Sequence, residues 1–365
     1  MKFPRFLSNP SLREFWRGLT TPDFWAVKVA AIILLAGFGI LSAMAVNFRH
    51  RIEAGGVDWR SIYKDYGRNS VMAMAGAAQE TDISAKNFVF VGPSSLRCWL
   101  PHPDEASALA TSSSGKKVRV LSMCGGSQSY AVTAALVDRF GADFNGWFVI
   151  GVGRQTIGRK FTETELKTRR QQPRTLGFYS DALTPASEIL GLPTDPITGL
   201  ELWDHLDFHY RYKLGFKLRA SKKRKPYEPF LEPTKVPVET WGSEINRLDA
   251  DSLQRHLTVL ELVVQSVRVH GCARVALVET PWVDTYTPAM QTAEWKRDED
   301  AYQQMMQAWA RRHDVPWLNN PASFKASTAD FADAKHVGTP ALRRQFLESV
   351  VRTLLAEPFP LPSHD

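Results

Sequence analysis

Hydrophobic positions along this chain fall into distinct regimes. Residues 29–48 (VAAIILLAGFGILSAMAVNF) are apolar all round and carry no charge. From residue 87 onward, short unbroken apolar runs alternate with stretches whose apolar residues recur every three or four positions. The runs are 87–92 (NFVFVG), 118–123 (VRVLSM), 147–152 (WFVIGV), 273–280 (ARVALVET) and 315–318. Runs this short and this continuous predict strands buried on both faces, as in a parallel sheet. Between them, Leu253, Leu257, Leu260, Val264 and Val267 fall on one helix face. Tyr302, Met305, Met306 and Trp309 do the same, as do Leu342, Phe346 and Val350. The alternation predicts an α/β domain over 87–355 with helices on both faces of about five parallel strands. The Met and aromatic stripes read as core.

The first regime predicts a membrane anchor. A helix needs about 20 apolar residues to cross a bilayer core, and 29–48 supplies them. Phe24 and Trp25 stand at its start as interfacial aromatics, and Lys28 can snorkel. Ala43-Met44-Ala45 also reads as a signal-peptidase site. Signal-peptide apolar regions run about 7–15 residues, however, and this run is longer and follows a long N-terminal region, so a retained anchor is expected. Basic residues flank the run on both sides (Lys2, Arg5, Arg13, Arg17 and Lys28 before it; Arg49, Arg51, Arg60, Lys64 and Arg68 after it). The short tail 1–28 is expected in the cytoplasm, with 49–86 a juxtamembrane linker and the α/β domain outside. Residues 356–365 form a C-terminal tail.

One stretch breaks the strand–helix rhythm. Residues 155–245 hold many prolines, a cluster of aromatics (Trp203, Phe208, Tyr210, Tyr212, Phe216) and the basic run Lys222-Lys223-Arg224-Lys225. It reads as an insertion between the third and fourth strands, either a lid and binding surface or a solvated cap.

Composition narrows the function classes. The 365 residues are 44% hydrophobic and 23% charged, which excludes disordered and fibrous classes. A net charge of +7 points to an anionic neighbour. Three cysteines cannot build a disulfide framework, and no Cys/His spacing fits zinc. Cys98 and Cys124 flank the candidate site described next, and their pairing stays open; Cys272 reads as a core thiol. His205 and His209 stand four apart with nothing to complete a metal site. His256, His270 and His313 read as structural or surface residues, and His102 follows the first candidate block. No metal or cofactor is expected, and no nucleic-acid motif is present.

In open α/β sheets the site forms beyond the carboxyl ends of the strands. After the first predicted strand comes Gly92-Pro93-Ser94-Ser95-Leu96-Arg97, and after the second Cys124-Gly125-Gly126-Ser127. After the third come Gly153 and Arg154, and before the last helix Asp333-Ala334-Lys335-His336. A serine at a strand-to-helix turn exposes its hydroxyl and offers its own backbone N–H. A glycine after the neighbouring strand adds a second N–H, and together they form an oxyanion hole. A histidine can take the serine proton, and an aspartate three residues earlier can orient its ring. The candidates are therefore Ser94, His336 and Asp333 for catalysis, with Ser95 as a possible alternative nucleophile. Ser94, Gly125 and Gly153 are the candidate oxyanion donors, and Arg97 and Arg154 the candidate substrate-binding residues.

These blocks resemble those of the SGNH (GDSL-like) hydrolases. "FVGPSS" is similar to the first block, with Ser94 at the nucleophile position. "LSMCGGS" is similar to the second, with Gly125 at the oxyanion glycine. "DAKH" matches the Asp-x-x-His of the fifth, which implies His336 as base and Asp333 as its partner. The third block normally reads Gly-x-Asn, and here it reads Gly151-Val152-Gly153, without the side-chain amide. The Gly-x-Ser-x-x-Arg form and the anchor are closer to the DltD and AlgJ/AlgX-like branch. The resemblance implies a flavodoxin-like SGNH fold. It also implies O-acylation of an envelope polymer or polysaccharide beside a membrane-bound O-acyltransferase, from an inner-membrane, single-pass protein with a periplasmic catalytic domain. An esterase or deacylase, and a non-catalytic scaffold, are the alternatives.

Overall fold

In a computed structural model of the chain, residues 25–53, 85–101, 103–125, 128–141, 144–160, 182–192, 247–271, 273–319 and 324–356 are described. Helix α1 is Trp25–Glu53, 29 residues. It is followed by β1 (Lys86–Pro93), α2 (Ser94–Cys98), α3 (Pro103–Ser114), β2 (Val118–Gly125) and α4 (Tyr130–Phe140). Then come β3 (Gly146–Val152), α5 (Arg154–Ile157), α6 (Leu183–Ile189), α7 (Ala250–His270) and β4 (Ala273–Glu279). After β4 lie the short helical turn Val283–Tyr286, α8 (Ala293–Arg312), β5 (Trp317–Leu318) and α9 (Pro340–Ala356).

The five strands form one sheet in the order β2-β1-β3-β4-β5, every pair parallel. This is the doubly wound order whose switch point lies between the first and third strands. The loops after β1 and β3 diverge there, and the crevice between them is the natural place for a site.

The unbroken apolar runs have a simple cause: both sheet faces are covered. On one face Val89, Val91, Leu121, Phe148, Ile150 and Leu277 pack with α4, α7 and α8. On the other Phe88, Phe90, Val120, Val149 and Val278 pack with α2, α3 and α9. Leu253, Leu257, Leu260, Val264 and Val267 are the buried stripe of α7, which opens on an Asp249 side chain accepting the Ser252 N–H at 2.7 Å and closes on left-handed Gly271.

Part of the 155–245 insertion behaves as core rather than cap. Ala186, Leu190 and Leu192, on and just after α6, are buried in the cluster that α4 and α7 build. The aromatic cluster, Lys222–Lys225, His205, His209, His102 and Cys272 lie outside the described residues, as do most of the tail, linker and C-terminal segments.

Helix α1 turns its apolar side chains outward. Ile32, Ile33, Leu34, Leu35 and Ile40 are 62–73% exposed, unlike any other described part of the chain except Val269. Among the described residues no helix is long and apolar enough to cross a membrane.

Candidate active site

β1 ends where its sequence ends the ladder. Pro93 has no N–H to donate, and its fixed φ (−73°) feeds straight into α2, so Ser94 opens the helix at the sheet's carboxyl edge. Gly92, with φ +156°, lets the chain turn while β1 runs close to β3: a Cβ there would lie 3.6 Å from the Gly151 nitrogen.

Strand register brings the candidate glycines to the serine. Pro93 pairs with Gly125 of β2. Val91 pairs with Ile150 of β3, the last pair of that ladder, so Ser94 and Gly153 each follow three residues after it at the same edge of the sheet. The carbonyl of Val152 accepts both the Thr280 N–H at 2.7 Å and the Thr280 hydroxyl at 2.8 Å. That carbonyl therefore points toward β4. Across a planar trans peptide the next N–H points the opposite way, so the Gly153 N–H is turned away from β4, toward the β1 side of the sheet.

The base arrives from the far end of the chain. The segment before α9 folds back on itself through an antiparallel bridge between Phe331 and Val337, and Ala332 N–H donates to the His336 carbonyl at 2.8 Å. Inside this turn Asp333 Oδ1 accepts the backbone N–H groups of Lys335 and His336, both at 2.9 Å. Its other oxygen, Oδ2, lies 2.7 Å from His336 Nδ1. His336 Nε2 lies 3.0 Å from Ser94 Oγ. Asp333, His336 and Ser94 thus form one hydrogen-bonded chain that spans 242 residues of sequence.

Electrostatics favour an ionised Asp333. Partial burial raises its pKa, but the hydrogen bond and charge of His336 and the N–H and charge of Lys335 outweigh burial and hold the carboxyl below its ordinary value. A group depressed on folding stabilises the fold above its unfolded pKa and loses that contribution as pH falls through the folded pKa. Acid titration of stability should therefore show a falling limb below about pH 4 that is shallower in Asp333→Asn. Identical limbs in both proteins would show that the carboxylate is not engaged.

Ser95 is placed differently from Ser94. It is buried, 4% exposed, and its hydroxyl has no hydrogen-bond partner among the described residues. Ser94 is the hydroxyl within reach of the imidazole. Arg97 sits on α2 one turn after Ser94, half-buried, with its Nε a buried donor lacking a hydrogen-bond partner among the described residues. Arg154 is elsewhere engaged: its buried guanidinium lies 2.8 Å from Asp284 and 3.0 Å from Glu299. The structure does not bring it to the Ser94 hydroxyl as a free ligand.

Cys98 and Cys124 are both free and buried. Burial pushes their thiols up to about 11 and about 12, so neither offers thiolate near neutral pH. Three further histidines lie against other groups. His256 Nδ1 lies 2.7 Å from the Ser252 carbonyl, His270 Nε2 3.0 Å from the Asp138 carbonyl, and His313 Nε2 3.2 Å from Glu261.

Three contributors to this region carried no readable signal in the sequence: Thr280, which aims the Val152–Gly153 peptide, and Asp284 and Glu299, which hold Arg154. Thr280 was visible only as the last residue of an apolar run. The two acids sit 130 and 145 residues from Arg154.

Comparison of the chain with known protein families and with curated proteins finds no match.

Proposed function

We propose that this chain is a membrane-anchored, extracytoplasmic serine O-acyltransferase of the SGNH type, acting on a cell-envelope polymer or polysaccharide through an acyl-serine. The observation that carries the reading is the Asp333–His336–Ser94 hydrogen-bonded chain at the carboxyl edge of the sheet, at 2.7 and 3.0 Å.

The chemistry follows from those contacts. As Ser94 Oγ attacks the donor's acyl carbonyl, His336 Nε2 takes its proton, and Asp333 stabilises the imidazolium without taking the proton itself. The negative oxygen of the tetrahedral intermediate faces the N–H groups of Ser94, Gly125 and Gly153. The intermediate collapses, the donor's leaving group takes the proton from His336, and the acyl group stays on Ser94 as an ester. In the second half, a polymer hydroxyl gives its proton to His336 and attacks the acyl-serine. The new ester leaves, and the proton returns to Ser94. Arg97 is a cation close to the nucleophile and is suited to an anionic part of donor or polymer. A membrane-bound O-acyltransferase is the proposed supplier of the acyl group, since the enzyme would work beside the inner membrane.

The test is to incubate the purified chain with p-nitrophenyl acetate, with and without an O-deacetylated envelope polysaccharide. An acetylated Ser94 peptide by mass spectrometry, followed by acetyl transfer to the polysaccharide, supports the proposal. Acetyl-Ser94 that decays only to acetate makes the protein an esterase. No acyl-serine and no turnover returns it to a scaffold.

The outward-facing aliphatic side chains of α1 support the anchor. The mature protein should keep its N-terminus and fractionate with membranes after carbonate washing. A mature chain beginning at Val46, read by mass analysis, would show cleavage instead.

A further inference from the structure

Arg154 follows directly on Gly153, and its side chain is only 4% exposed. Its Nη2 donates to Asp284 Oδ2 at 2.8 Å and its Nε to Glu299 Oε2 at 3.0 Å, while its guanidinium lies 5.2 Å over the Trp295 ring. Asp284 is itself buried, 2% exposed, and the same oxygen accepts the Trp295 indole N–H at 2.7 Å. The arginine therefore ties the loop after β3 to the turn after β4 and to the first turns of α8.

That turn touches the base. Val283, the residue before Asp284, donates its N–H to the Ala334 carbonyl at 2.9 Å. Ala334 lies between Asp333 and His336. Tyr286, from the same turn, packs on Phe331 at a centroid distance of 5.9 Å, and Lys335 lies 5.8 Å over the Trp282 ring. An unbroken path thus runs from Gly153 through Arg154, Asp284 and Val283 to the segment carrying Asp333 and His336. Gly153 is also wedged from the other side: a Cβ there would lie 3.0 Å from the Thr280 carbonyl and 3.2 Å from Glu279 Oε1.

We propose that the buried Arg154–Asp284 pair is a positioning device that holds the Gly153 N–H and the Asp333–His336 turn at the spacing acyl transfer requires. The proposal rests on the serine acyl-transfer reading of the site. It assigns to Arg154 a role inside the scaffold in place of contact with substrate. It also accounts for a third block without the usual amide: a backbone N–H can stabilise an oxyanion only if its peptide is held fixed. Here Thr280 clamps one side of that peptide and Arg154 anchors the residue following it.

The experiment uses full-length chain in detergent and compares wild type with Arg154→Lys, Asp284→Asn, the double variant and Glu299→Gln. Arg247→Ala, which removes an exposed ion pair to Asp298 beside Glu299, serves as the control for a nearby charge that does not join the buried pair. Ester hydrolysis gives kcat and KM, and phenylboronic acid, which adds the Ser94 oxygen to form a tetrahedral anion, gives an affinity for the transition-state shape. Arg154→Lys and Asp284→Asn should each lower kcat by about 10- to 100-fold, the scale of a small misplacement of reacting groups. KM should stay within about two-fold and the boronate affinity should fall with kcat, because positioning acts on the transition state. The double variant should be little worse than the poorer single one, since the two residues act as a unit. Arg247→Ala should match wild type.

A rise in KM with kcat and boronate affinity unchanged would make Arg154 a substrate ligand after all and overturn the proposal. So would wild-type kinetics in folded Arg154→Lys and Asp284→Asn. Where both unfold, Glu299→Gln decides, because Glu299 is 25% exposed and its loss loosens the arginine at a tolerant position. A kcat lowered about three-fold or more there supports positioning, and a wild-type kcat overturns it. A wild-type chain that neither hydrolyses the ester nor reacts with a fluorophosphonate overturns the serine reading itself, which separates that failure from this one.

Discussion

Ser94→Ala and His336→Ala are each expected to lower acyl transfer and ester hydrolysis by about 10⁴-fold or more. The reason is that a serine hydroxyl is a weak nucleophile until a base within hydrogen-bond reach takes its proton. His336 Nε2 at 3.0 Å is that base among the described residues. Either substitution removes the same proton transfer, so Ser94→Ala with His336→Ala should cost little more than one alone. Asp333→Asn should cost about 10³- to 10⁴-fold, because the amide keeps the turn but presents the wrong partner to His336 Nδ1. The measurement is single-turnover acylation with p-nitrophenyl acetate alongside steady-state transfer. Ser95→Ala is the informative comparison. Its hydroxyl is buried without a partner among the described residues, so its loss should leave acylation within a few-fold of wild type. An inactive Ser95→Ala beside an active Ser94→Ala would move the nucleophile by one residue. Wild-type rates in all the triad variants would leave the protein a scaffold.

Much of this site was readable before the structure because its chemistry is local or repeats with the strands. Asp333 and His336 sit three apart, which is the spacing at which one carboxylate can accept its neighbour's backbone N–H groups and still reach the ring. The ends of the first three strands were readable because glycine or proline stands at or just past each (Pro93, Gly125, Gly153), and a parallel sheet sets those ends along one edge. Arg154 shows where such reading stops. A charged residue just past a strand looks like a ligand for substrate, and nothing nearby in sequence announces Asp284 or Glu299. Whether a strand-end arginine faces the crevice or turns into the protein depends on long-range packing. The same limit applies to α6: its short apolar segment carries no period long enough to separate a core helix from a surface cap, yet Ala186 is fully buried. Glu279 is a further case. It ends β4 after the apolar stretch 275–278 and is 7% exposed, with Tyr302 donating to it at 2.8 Å. Burial and the charge of Glu299 push its carboxyl well above the ordinary range. The Tyr302 hydroxyl offsets part of the cost of burying that carboxyl, which is how a buried strand can end on an acid.

Gly146→Ala is expected to be the most damaging single-methyl change in the described domain. Gly146 opens β3 opposite Asn87 of β1, with φ +148°, a conformation side chains with a Cβ rarely adopt. A Cβ built there would lie 2.0 Å from the Asn87 carbonyl oxygen and 2.8 Å from its nitrogen. Both obstacles are backbone, so no rotamer change relieves them. The same residue locks the strand pair, since Asn87 donates its backbone N–H and its side-chain amide to the Asn145 carbonyl at 3.2 and 2.9 Å. Gly115 supplies the comparison: it is left-handed at φ +66°, but a Cβ there meets nothing within 4 Å. Gly115→Ala should cost about 1–2 kcal/mol, the conformational penalty alone. Gly146→Ala adds a backbone collision and should cost about 4 kcal/mol or more. Urea midpoints of the two variants measure the difference. Any folded Gly146→Ala should also lose activity, because β1 leads into Ser94 and β3 into Gly153, and displacing the two strands changes the spacing between them. Equal midpoints for the two alanine variants would mean that β1 and β3 do not meet at Asn87 and Gly146, and the β1–β3 register behind two of the three candidate oxyanion donors, Ser94 and Gly153, would fall with it.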